Sequence, residues 1–446
     1  MRHRPAEANR WFPWALGAVT VVALALRVGY VLVVRRDFSP GGDAYFYHAG
    51  ANLLADGKGF ISPFFYYGAH RTVPAAEHPP LYLMFLSIPS IFGMKSVVTH
   101  MLWSCLVGAG TVALVGLVGR AVGGDRVGIV SAVIAAVYPN MWAPDGMLQA
   151  ETLAMFLAVA AVLLAYRYLQ NPSGKRLALV GIMCGLGALA RSELILLVLF
   201  LVVPLALSVR ARKGMRTSLT WFAIATAAAV LVIAPWSIYN ARRFVHPILL
   251  SAQIDPLLAS ANCDSTYYGP FRGYFDIQCA QHIYDRAGLT RADDESQEGI
   301  VYRRAAFKYV RSHASQVPNV IGVRLLRVVG LYHPAQYAHT DTLVEGRGID
   351  VSWAALYSFY GLAILAVAGA VVLAGSKTCP LYPLLAPIAV AIVTVIVTYA
   401  STRFRAIAEP MLAVLAAYAL IAAWDRVVGR GASEDDAPVP EPATVA

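Results

Sequence analysis

The chain has 446 residues, of which 58% are hydrophobic and only 14% charged. A soluble globular protein carries roughly 25% charged residues, so this balance excludes an ordinary water-soluble enzyme and suits a bilayer, where about 20 apolar residues make one crossing. The formal charge of +10 does not call for a nucleic-acid partner, because basic residues in membrane proteins gather beside helices on the cytoplasmic face.

In chain order, MRHRPAEANR gives a basic start to an apolar run from Trp11 to about Val34. That run is long enough to span and no small-residue cleavage site follows it, so it reads as an uncleaved first helix. Further apolar segments lie near 97–120, 127–143, 150–169, 176–191, 193–209, 217–238, 351–374, 381–400 and 410–428. Together they predict an all-α polytopic protein with about ten crossings. Arg2, Arg4 and Arg10, then Arg120 and Arg126, then Arg167, Lys175 and Arg176, then Arg210, Arg212, Lys213 and Arg216 all fall on one side of that count. That side is expected to be cytoplasmic, with both termini inside a cell (plasma or inner) membrane. His78 to Gly93 is apolar but short and broken by prolines. A crossing there would put basic loops outside, so it is expected as a short helix embedded from the outer face.

Two connections are long, 35–77 and 239–350, and both come out extracytoplasmic; connections of this length in a compact fold usually serve function. The second contains EGIVYRRAAFKYVRSHASQ and VPNVIGVRLLRVVGLY, expected as helices on the membrane surface with Arg324 and Arg327 toward headgroups or water. Cys263 and Cys279 share this loop, while no CxxC suggests zinc or redox chemistry. On an oxidising face they would pair as a disulfide, two separate thiols being the alternative. Residues 1–428 read as one transmembrane domain. The acidic, proline-bearing segment 429–446 is expected to be a disordered cytoplasmic tail.

Ionisable groups are scarce inside the apolar segments, Arg27 being the exception, either snorkelling or bracing a neighbour. A transporter would place polar groups at mid-membrane; here they collect at outer loops and helix ends, which favours an interfacial site. Asp43 follows Gly41-Gly42, and Ala44 to Leu54 reads as a short amphipathic helix stopped at Asp56-Gly57. Glu77 and His78, beside a double proline, close the same loop. Capping and solvation are the competing reading for Asp43, and a helix-dipole role competes for Gln149 and Glu151. Glu77, His78 and His246 could hold a divalent ion, but three scattered residues are thin support for any metal.

GGDAYFYHAGANLLADGKGF followed by EHPPLY resembles the first loop of GT-C glycosyltransferases of the protein O-mannosyltransferase and lipid A aminoarabinose transferase type. GLGALARSE (185–193), APWSIYNARRF (234–244), LASANCDSTYYG (258–269) and RFRAIAEPMLAVLAAYAL (403–420) are similar to further pieces in the same order. Ala44 stands where eukaryotic-type mannosyltransferases place Glu after Asp, and His78 where the aminoarabinose group often has Lys; both departures leave sugar and acceptor open. The resemblance implies a polyprenyl-phosphate-sugar donor, a hydroxyl acceptor on protein, lipid or polysaccharide, and no certain cofactor. It makes Asp43 the general base of an inverting transfer, a role for which a positioned base contributes about 10²–10⁴-fold. The leaving phosphate needs cations, for which Arg403 and Arg405 are the first candidates and Arg191, Arg242 and Arg243 the second. Each of these could instead anchor a helix end at the headgroup layer, and Glu409 could simply pair with one. Glu77, His78, Asn240 and Asn262 would hold acceptor or sugar. A flippase or polymerase of lipid-linked saccharide, or another polytopic transporter, is the alternative.

Overall fold

The computed structural model describes residues 10–290 and 293–435. Arg2 and Arg4 lie outside them, as does 436–446. The last helix runs Glu409–Asp435, past the boundary expected at 428.

Among the described residues, six helices are long and apolar enough to cross a membrane: Trp11–Val34, Val97–Val137, Glu151–Gln170, Arg210–Ala241, Ile349–Ser376 and Glu409–Val428. Two of them are broken by glycine. Gly123 and Gly124 interrupt the first, Gly124 with φ 86°, and Gly214, with φ 80°, interrupts the second. Only glycine takes such angles without cost. Beyond each break the chain folds back on itself: Ser131 packs against Gly119, and the Ser218 hydroxyl donates to the Ala206 carbonyl at 2.7 Å. With Gly174–Ala190, Ser192–Ser208 and Tyr382–Val397 added, every apolar segment expected from the sequence is helical. Among the described residues the sole β feature is an isolated bridge between Ile61 and Pro74.

Lipid tails are as apolar as leucine, so helices in a bilayer associate through close packing of small residues. Gly181 lies against the Ala225 backbone and Gly369 against the Leu415 backbone, where a Cβ would sit 2.0 and 1.9 Å from the carbonyl oxygens. Inside the bundle Arg27, fully buried, braces a neighbour instead of snorkelling. It donates to Asp145 at 2.9 Å and to the carbonyls of Ala23 and Met141.

The helix ends sort into two sets. One end holds the Arg120–Asp125 and Arg126–Asp425 pairs and the stacking of Lys213 on Trp221. The opposite end carries both long connections. The first contains Gly42–Ala55, stopped at Asp56 and Gly57 (φ 74°) as expected, and Pro63–Ala69. His78–Gly93 forms the helix Pro80–Ile91, pinned by the Trp103 indole donating to the Phe85 carbonyl. The second long connection folds into short helices, including Ile254–Ala261, Ile277–Arg286, Glu295–Ser312, Val317–Val328 and Pro334–Glu345. Cys263 and Cys279 form a disulfide within it.

One expectation is overturned here. Arg324 and Arg327 face neither headgroups nor water; they are 4% and 2% exposed. Arg324 donates to the carbonyls of Ile396 and Ala261, and Arg327 to those of Arg272 and the Gln336 amide. Arginine's fork satisfies several carbonyls at once, so these residues rivet the loop helices to the bundle.

Candidate active site

At the loop-bearing end, five elements bring ionisable side chains together. Gly41-Gly42, with Gly42 at φ 50°, turns the chain into the Gly42–Ala55 helix and leaves Asp43 in its first turn, where the helix dipole favours a carboxylate. The double proline sets the entry to Pro80–Ile91 and holds His78 beside that turn. Glu151 opens a membrane helix, and Arg191 caps the end of Gly174–Ala190. The short turn Thr402–Arg405 supplies Arg403, its backbone held by the Ser401 hydroxyl.

The contacts form a chain. Arg403 Nη1 donates to Asp43 Oδ2 at 2.8 Å, and its Nε donates to Glu151 Oε1 at 2.6 Å. Glu151, only 1% exposed, also accepts from Arg191, whose Nε reaches Glu193 at 2.5 Å. On the other side of Asp43, His78 Nε2 lies 3.4 Å from Oδ1 and 3.9 Å from Glu77. The His78 ring packs edgewise on Phe46 and tilted on Tyr47.

Burial opposes ionisation of Asp43, but Arg403 and His78 outweigh it and hold the carboxyl far below its ordinary range. Burial likewise disfavours the His78 imidazolium, and Asp43 and Glu77 reverse that, so its pKa is raised. Glu77 is raised by burial, partly countered by His78. Asp43 is therefore held as an anion beside the Arg403 guanidinium, and it in turn favours the cationic form of His78.

Arg403 thus joins Asp43 directly, and Arg191 joins through Glu151. The other expected candidates are engaged elsewhere. Arg405 turns away to Glu409 at 2.6 Å and to the Val328 carbonyl, with its guanidinium over the Phe359 ring. Arg243 donates to the carbonyls of Phe60 and Ala75, fastening the first loop, and Arg242 is exposed. Asn240 donates to the Ile248 carbonyl; Asn262 donates to Leu258 and accepts from the Tyr267 hydroxyl. The Asn262 amide is thereby held within its own turn, while Asn240 keeps a buried Oδ1 without a hydrogen-bond partner.

Sequence reasoning undervalued Glu151. A carboxylate at the start of an apolar helix looks like a dipole complement, and only the fold reveals two guanidinium groups on it. Asp43 has one oxygen engaged by Arg403 and the other facing His78, and among the described residues no group of three or more His, Cys, Asp or Glu gathers as a metal ion requires. Glu77, His78 and His246 form no such group.

Residues 77–239 match the family described as dolichyl-phosphate-mannose-protein mannosyltransferase. No curated protein matches the chain. Among solved structures, the archaeal oligosaccharyltransferase AglB from Archaeoglobus fulgidus, in complex with an inhibitory peptide and a dolichol-phosphate, superposes with TM-score 0.55 at 18% identity, over 98% of this chain and 53% of that one. The same organism's enzyme with Zn and sulfate gives 0.55 at 17%, over 94% and 50%. ArnT from Cupriavidus metallidurans bound to undecaprenyl phosphate gives 0.42 at 14%, over 98% and 82%, too low to argue from. The chain spans about half the length of the oligosaccharyltransferases it matches, and at these identities the likeness is one of fold. Family match and fold agree: this is a multi-pass membrane protein whose fold is like that of the archaeal oligosaccharyltransferase structures, with a match to the protein-mannosyltransferase family over residues 77–239.

Proposed function

We propose that the protein is an inverting glycosyltransferase that moves a sugar from a polyprenyl-phosphate donor to a hydroxyl acceptor on the extracytoplasmic face of the membrane. The observation that carries this reading is the Asp43–Arg403–Glu151–Arg191 chain at the membrane end of the bundle. It sets a carboxylate base beside guanidinium groups suited to a phosphate leaving group. Arg403 serves both partners. With the site empty it is bonded to Asp43 and depresses its basicity. A donor phosphate competes for that guanidinium, loosens the pair and raises the basicity of Asp43 when an acceptor hydroxyl arrives. Asp43 takes the hydroxyl proton as the oxygen attacks the anomeric carbon, and the phosphate departs onto Arg403 and Arg191. With one attacking oxygen and no covalent sugar–enzyme intermediate, configuration inverts. His78 and Glu77 border Asp43 on the side away from Arg403 and orient the acceptor.

Sidedness is supported by two independent features. The basic residues cluster at the end opposite the site, as they do on cytoplasmic faces, and a disulfide lies in the second long connection, at the same end as the site, as suits an oxidising compartment. The AglB structure with a dolichol-phosphate supports the donor class. Purified protein incubated with labelled polyprenyl-phosphate sugars and an envelope extract should yield a glycosylated acceptor. Transfer from nucleotide sugars alone would contradict the reading.

A further inference from the structure

Beside the Arg403 network lies a cleft of about 340 Å³ that Asp43 does not line. Its wall is formed in part by Asn140, Gln149, Glu151, Arg347, Arg403 and Glu409. Glu409 is the unusual member. Its side chain is 1% exposed, and Oε1 is spoken for, accepting from Arg405 Nε at 2.6 Å and from Asn140 Nδ2 at 3.1 Å. Oε2 is buried and has no hydrogen-bond partner. A buried carboxylate oxygen left unsatisfied is costly, and a cleft beside it makes a hydroxyl-bearing ligand the natural partner.

We propose that this cleft is the subsite for the sugar ring of the donor, with Glu409 Oε2 accepting a hydroxyl of that ring. The assignment rests on the proposed function, because Arg403 would hold the phosphate to which the ring is attached. Arg403 and Glu151 belong to both regions, so a phosphate on Arg403 places the anomeric carbon at the cleft mouth, between Asp43 and the interior. Two guanidinium groups, Arg347 and Arg403, face two carboxylates, Glu151 and Glu409. A wall so balanced favours a neutral polyhydroxylated ring over an amino or acidic sugar. Arg405, behind Glu409, orients the carboxylate through its hydrogen bond to Oε1.

The test uses full-length protein in lipid nanodiscs and measures affinity for bare polyprenyl phosphate, for its mannosyl, glucosyl and arabinosyl esters, and for an amino-pentosyl ester. At least one neutral ester should bind wild type about tenfold or more tighter than the bare lipid, the scale of one hydrogen bond to a charged group. Glu409→Gln should remove that increment and leave bare-lipid affinity unchanged. Gln149→Ala, which does not touch Arg405, should lose several-fold of it and decides the matter if Glu409→Gln does not fold. Retention of the full increment in the variants overturns the subsite while the donor class stands. So does a wild type that binds no neutral ester better than bare lipid, or binds the amino-sugar ester best. Failure of wild type to bind polyprenyl phosphate at all removes both proposals.

Discussion

Asp43 and Arg403 are 360 positions apart in sequence and 2.8 Å apart in space. The buried Glu151 completes the link from Arg403 to Arg191 and is its centre. Replacing Glu151 by Gln leaves two guanidinium groups facing each other without their shared anion. The expected cost is about 3 kcal/mol, as for other broken buried pairs, read as a lowered thermal midpoint. Added polyprenyl phosphate should restore more stability to this variant than to wild type, since a phosphate supplies the missing charge; equal shifts would count against a phosphate site there. At this scale the sequence was partly legible. Asp43 stood out because a Gly-Gly turn places it just past the first span. Arg403 and Arg405 could not be ranked, since residues two apart in a helical turn point roughly 200° apart and only the packing says which way each faces. Asn240 and Asn262 could not be judged from their letters, since an amide held by its own turn and one that binds sugar look alike in sequence.

Among the elements, close helix packing and loop anchoring hold the site's frame. Gly369→Ala would drive a methyl into the Leu415 carbonyl, which backbone cannot relieve cheaply. The expected loss is about 1–3 kcal/mol, while Gly17→Ala, with open space around it, should be neutral in the same unfolding assay. The Glu295–Ser312 helix clamps the end of the first loop: Glu295 accepts from the Ala76 amide at 2.8 Å, immediately before Glu77 and His78. Burial pushes its pKa up to about 8, with Glu77 and Glu298 adding to the rise and the Ala76 amide and Arg243 opposing it. The folded state then binds more protons than the unfolded one between the ordinary glutamate value and about 8. Stability should fall with rising pH across that window, by up to roughly 1.4 kcal/mol per pH unit. Glu298, raised to about 7 by burial and its acidic neighbours, adds its own slope below that value, so Glu295→Gln should lose most of the slope in thermal midpoint between pH 7 and 8; an unchanged slope there would locate the titration elsewhere. Helix positions were legible because each apolar run is long and bounded by charge or glycine. Burial of Arg324 and Arg327 was not, because amphipathic spacing cannot distinguish a headgroup from a backbone carbonyl as the arginine's partner.

Over the whole molecule, the arrangement has two unlike ends, one basic and one built of loops around the site. In intact cells a membrane-impermeant maleimide should label Lys308→Cys, on an exposed face of the loop helix, and should spare Arg212→Cys, at the basic end, until the membrane is permeabilised. The reverse pattern would put the site in the cytosol. The measurement that bears most directly on the central claim is single-turnover transfer by Asp43→Asn with donor affinity recorded on the same protein. Asn keeps the shape but cannot take the acceptor's proton. The account predicts a variant that folds, binds polyprenyl-phosphate sugar, and transfers it about 10²–10⁴-fold more slowly. Transfer at the wild-type rate, or a slow rate traced wholly to lost donor binding, would contradict it.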